Sequence, residues 1–93
     1  MNQSKPKKVQ HQAIQARLNY LLGADEYDRL FMDFEILRIE NGVLTVSVRS
    51  TCTSEVQDKY SWHIAIAAES LLRQAIRKVR VVPLGESSSS HAQ

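Results

Sequence analysis

The dipeptide Asn41-Gly42, set between two runs of β-branched and aliphatic residues, restricts the fold of this chain more than any other feature. A type I′ turn needs positive φ at both central residues, and Asn-Gly meets that demand at least cost. A two-residue loop pairs Glu40 with Val43. Counting outward, Leu37, Ile39, Leu44, Val46 and Val48 share one face, while Arg38, Thr45, Ser47 and Arg49 share the other. The aliphatic set is the expected core face. Phe34 and Ile36 fall out of this phase, which requires either a bulge in the first strand or a longer turn.

Helices flank the hairpin. Ile14, Leu18, Leu21 and Leu22 form an apolar stripe that Gly23 can close in the left-handed conformation. Asp25 can cap a second helix, with Glu26 and Asp28 in its first turn and Tyr27, Leu30, Phe31 and Phe34 at helical spacing. After the hairpin, "TSEVQDKYSWHIAIAAESLLRQAI" contains no Pro or Gly, and Ser54 with Gln57 has the capping-box spacing. At 100° per residue, Val56, Tyr60, Ile64, Ala67, Leu71 and Ala75 gather on its core side, and Trp62 and Ile66 lie on a mostly charged flank. "KVRVVPLG" closes the chain as a strand, with Pro83 placing it at a sheet edge. The order is ααββαβ: an α+β domain with a three-stranded sheet packed on helices.

The folded unit is expected over residues 11–84. A flexible basic tail precedes it (1–10, with Lys5, Lys7 and Lys8), and a flexible Ser-rich tail or linker start follows (85–93). The longest apolar run, "IAIAA", is far too short to span a bilayer, and no secretory pattern follows the basic start. A cytoplasmic location is expected. Cys52 is the single cysteine, so an internal disulfide is ruled out, and His11, His63 and His91 lie at no metal-ligand spacing. Gly23, Gly42 and Gly85 stand alone, so no phosphate loop or Gly-x-x-Gly element is present. Cys52 has no histidine placed to activate it, and the carboxylates fall in helix first turns and on solvated faces. The expectation is a non-enzymatic domain without cofactor or metal.

Two surface features remain. Trp62 beside Ile66 is either covered by the first two helices or exposed as a partner-binding patch. The sheet face bearing Arg38, Arg49, Thr45 and Ser47 is either its wet side or a track for a phosphate backbone, with Lys7 and Lys8 of the basic tail contributing charge. The net charge of +2 gives only slight support to an anionic partner.

Several segments, taken together, resemble a known family. "Glu26-Tyr27-Asp28-Arg29-Leu30-Phe31", "Asn41-Gly42-Val43-Leu44-Thr45-Val46-Ser47-Val48" and "Asp58-Lys59-Tyr60" follow one another as in the N-terminal domain, domain I, of the bacterial chromosomal replication initiator DnaA. The resemblance covers about Ile14 to Leu84. It implies a KH-like module without the GxxG loop that recruits the replicative helicase, binds regulators, self-associates weakly and touches single-stranded DNA weakly. It carries the family's helicase-contact acid onto Glu26, with Tyr27 and Leu30 in the same segment. It also places a second contact at the start of the long helix, where Cys52 or Thr53 stands instead of an aromatic. The family's early Trp in helix one has no counterpart near His11. A small nucleic-acid-binding domain and a stand-alone regulator mimicking the initiator domain are the competing functional expectations.

Overall fold

A computed structural model describes residues 3, 4 and 7–85. Its elements are strand β1 (Gln3–Ser4), helices α1 (Lys8–Leu22) and α2 (Ala24–Phe31), strands β2 (Glu35–Glu40) and β3 (Val43–Val48), a short α-helical turn α3 (Thr53–Glu55), helix α4 (Ser61–Leu72) and strand β4 (Lys78–Pro83). The expected α+β architecture is present. The sheet has the order β1-β2-β3-β4, with β1 and β2 antiparallel to their neighbours and β4 parallel to β3. The helical crossover between β3 and β4 makes that parallel pairing reachable.

The turn forms as its chemistry demands, with φ of 55° at Asn41 and 81° at Gly42 and Glu40 paired to Val43. The phase problem in β2 is solved by a bulge. Register shifts between Ile36 and Arg38, so Leu37 is the extra residue. Ile36 and Ile39 therefore both reach the core, while Leu37, expected there, is only half-buried. The core joins Ile14 and Leu18 of α1, Tyr27, Leu30 and Phe31 of α2, and Leu44, Val46 and Val48 of β3 to Val56, Ile64, Ala67 and Ala68. Phe31 is its aromatic centre, with ring centroids 5.6 Å from Tyr27, 5.4 Å from Phe34 and 6.3 Å from Tyr60.

Several expectations are corrected. Order begins before residue 11: α1 starts at Lys8, where the Lys7 N–H donates to Gln10 Oε1, and Gln3 and Ser4 pair with Glu40 and Ile39. The Ser-rich tail lies outside the described residues beyond Gly85. α2 begins at Ala24, so Asp25 sits inside its first turn rather than capping it. Leu21 is exposed. The long helix is not uniform: a 3₁₀ turn (Ser50–Cys52) and α3 lead into a π-helical segment (Val56–Tyr60), and only then does α4 begin. It ends at Leu72 on Arg73, a non-glycine residue with φ of 58°, which leaves Ala75 exposed beyond the helix.

The Ser54–Gln57 capping box does not form, because Gln57 has a different partner. Its Nε2 donates to Val79 O at 2.9 Å and its Oε1 accepts from Val81 N–H at 2.9 Å. β4 is the outer strand, so Gln57 supplies its free edge with one donor and one acceptor, as another strand would.

Candidate functional site

On the α2 side, Arg29 organises the surface around Glu26. Its guanidinium reaches Glu26 Oε2 and Glu55 Oε2, each at 2.7 Å, with further hydrogen bonds to the second oxygen of both carboxylates. Tyr60 donates its hydroxyl to Glu26 Oε2 at 2.7 Å, and Lys59 lies 3.7 Å from Glu55. The Arg29 hydrogen bonds, and then that from Tyr60, hold the Glu26 carboxyl below its ordinary range. Arg29 lowers Glu55 in the same way, and the Glu26 carboxylate raises the Tyr60 phenol. These charge-assisted contacts tie α2 to the π-helical segment.

Of the other residues expected to face a partner here, Tyr27 and Leu30 are 9% and 1% exposed and belong to the core. Neither offers a surface to a partner. Cys52 and Thr53 are half-buried and locally engaged, Cys52 Sγ toward Arg29 O at 3.7 Å and Thr53 Oγ1 toward Ser50 O at 3.2 Å.

The outer sheet face also differs from expectation. Arg49 is not on it: the strand ends at Val48, and Arg49 Nη2 donates to the carbonyls of Asp28 and Arg29 at 3.1 and 3.2 Å, with Nε 3.5 Å from Asp33. A cation at the C-terminus of α2 complements the helix dipole. Thr45 and Ser47 are 3% and 2% exposed, so the centre of this face is covered by its neighbours rather than wet. Arg38 and Arg80 flank Thr45 across the three long strands, around a depression of about 260 Å³. Lys7 and Lys8 stand exposed at the start of α1.

A third region lies between α4 and the start of β4. Trp62 is 70% exposed and Ile66 41% exposed, so α1 and α2 do not cover them. Together with Ala65, Ile76, Arg77 and Lys78 they line a groove of about 380 Å³. Two side chains fix its walls. Gln57 holds β4 at one end. At the other, Glu69 Oε2 accepts from Ile76 N–H at 2.8 Å, which anchors the loop that follows Arg73. Backbone bonds from Arg77 and Lys78 N–H to Gly42 O, at 2.8 and 3.3 Å, seat the strand wall against the hairpin turn.

Sequence reasoning located Trp62 and Ile66 but missed the other wall of this groove. The run "RKVR" from Arg77 to Arg80 is the visible signal, and the alternation from Lys78 onward reads only as strand. Nothing in the spacing marked Glu69 or Gln57, whose partners are backbone groups far along the chain. Among the described residues, no three His, Cys, Asp or Glu side chains are placed to hold a metal ion, and no helix is long and apolar enough to cross a membrane. Comparison with protein-family models, with curated proteins and with solved structures returned no match for this chain.

Proposed function

We propose that this domain is a non-enzymatic protein-interaction module of bacterial DNA replication initiation, which brings the replicative helicase and replication regulators to an initiator in the cytoplasm. The observation that carries the reading is the pre-set groove at Trp62 and Ile66. A large aromatic side chain left 70% exposed beside an aliphatic one is the usual chemistry of an interface anchor. The Glu26 match to the family's helicase-contact acid supports the replication assignment, and Glu26 keeps part of its carboxylate accessible, with the side chain 33% exposed. The test is to mix the chain with the replicative helicase of its own organism and map amide shifts. Perturbations confined to the groove, to α2 around Glu26, or to both support the reading; perturbations elsewhere, or none, refute it.

A second reading, weak single-stranded nucleic-acid binding, draws on the Arg38–Thr45–Arg80 row across the outer sheet face. Phosphate contacts make affinity fall steeply with salt. Binding of an oligonucleotide that weakens with salt and with Arg38→Ala supports it; no binding at low salt removes it.

A further inference from the structure

We infer that the groove beside Trp62 accepts an acidic amphipathic segment of a partner protein, with an apolar side chain seated between Trp62 and Ile66 and carboxylates set against Arg77 and Lys78. This rests on the interaction-module reading and gives the occupant its chemistry. The floor is apolar, formed by Ile76 and Val79, which are 7% and 5% exposed, with Ala65 beside them. On the rim, Arg77 and Lys78 are exposed, and neither forms an ion pair among the described residues. Among the described residues Glu69 is the one carboxylate that lines the groove, and it already has an oxygen committed to the Ile76 N–H. Two unpaired cations above an apolar trough are complementary to a segment with aliphatic residues on one face and acids on the other.

Other occupants fit less well. A polynucleotide is held by repeated stacking and a run of phosphate contacts, whereas this groove offers one indole and an aliphatic floor. The walls are held by Gln57 and Glu69 before any partner arrives, so little ordering cost falls on this chain when it binds.

The experiment titrates the whole chain with a synthetic helical peptide bearing Leu along one face and Glu on both flanks. The same peptide with Lys for every flanking Glu, and a poly-dT oligonucleotide of matched charge, are the comparisons. Trp62 is the chain's single tryptophan and reports directly. The acidic peptide is expected to shift Trp62 emission to the blue in a saturable way and to move the amides of Ile66, Ile76, Arg77 and Lys78. It is expected to bind at least about tenfold tighter than the Lys peptide, a preference that salt reduces. Arg77→Glu combined with Lys78→Glu reverses the order, and Ile66→Ala weakens both peptides without changing it.

Equal affinity for the two peptides overturns the inference, as do amide shifts outside the groove, tighter groove binding by the oligonucleotide, or Trp62 emission that moves with chain concentration alone. A helicase complex formed through the groove but indifferent to charge reversal refutes this inference and leaves the interaction-module reading standing. Charge-selective peptide binding without any helicase complex does the opposite.

Discussion

Replacing Gln57 by Ala removes a side chain whose two hydrogen bonds, both at 2.9 Å, close the free edge of β4. Each bond contributes about 1 kcal/mol, so losing both costs about 2 kcal/mol. Alanine's better helix propensity returns about 0.4 kcal/mol, so the net loss is about 1.5 kcal/mol. For a domain of this size that lowers the thermal midpoint by roughly 6–12 °C. Amide exchange supplies the local readout: Val81 N–H should lose protection more than the β3 amides do. Gln57→Glu sharpens the test. A carboxylate still accepts from Val81 N–H but repels Val79 O, and protonation restores a donor, so this variant's deficit should shrink as pH falls. A midpoint within about 2 °C of the parent, with Val81 protection unchanged, would refute the view that Gln57 closes the sheet.

Phe31→Ala empties the centre of the aromatic cluster and should cost about 3–5 kcal/mol, a large share of the roughly 4–12 kcal/mol available to such a domain, measured by chemical denaturation. Gly42→Ala puts a Cβ at φ of 81° and 3.0 Å from Arg77 Nε; because that side chain can move, the loss should be mostly backbone strain, about 1–2 kcal/mol. Glu26 and Glu55 titrate below the ordinary carboxylate value in the folded chain, so the unfolded chain binds more protons and stability rises with pH through that range. Their contribution is complete above the unfolded value of about 4.3 and is lost as pH falls through the lower folded values. Arg29→Met should flatten this acid limb in pH-dependent denaturation curves.

The parts of the fold governed by neighbouring residues could be read directly from the chain. Asn41-Gly42 set the turn and the Glu40–Val43 pairing, and the alternation of Leu44, Val46 and Val48 gave the core face of β3. The misplaced phase of Ile36 announced the bulge without showing that Leu37 would be its extra residue. What stayed hidden depends on partners distant in sequence. Gln57 looked like a cap because Ser54 is three residues away, yet its partners, Val79 and Val81, are more than twenty residues on. The π-helical segment broke the 100° wheel used to phase the long helix, and no local residue choice signals it. Arg49 continued the strand alternation on paper, but the chain turned at Val48 and its guanidinium went to the end of α2.

The candidate site was legible by half. An isolated Trp on a charged flank is visible in any helical projection, and whether other helices cover it is a tertiary question. Tyr27 and Leu30 show the reverse case, since adjacency to Glu26 in a motif says nothing about which way a side chain faces. The Arg77–Lys78 rim becomes part of the groove only because the loop after Arg73 doubles back along α4, held by Glu69.

The most direct test of the proposed role is the affinity of the chain for the replicative helicase of its own organism with Trp62 and with Trp62→Ala. Because the indole is 70% exposed, the substitution should leave the unfolding midpoint nearly unchanged. A loss of about thirtyfold or more in affinity, the scale of a buried interface anchor, is the expected result. Undiminished binding by the folded Trp62→Ala chain would contradict the account.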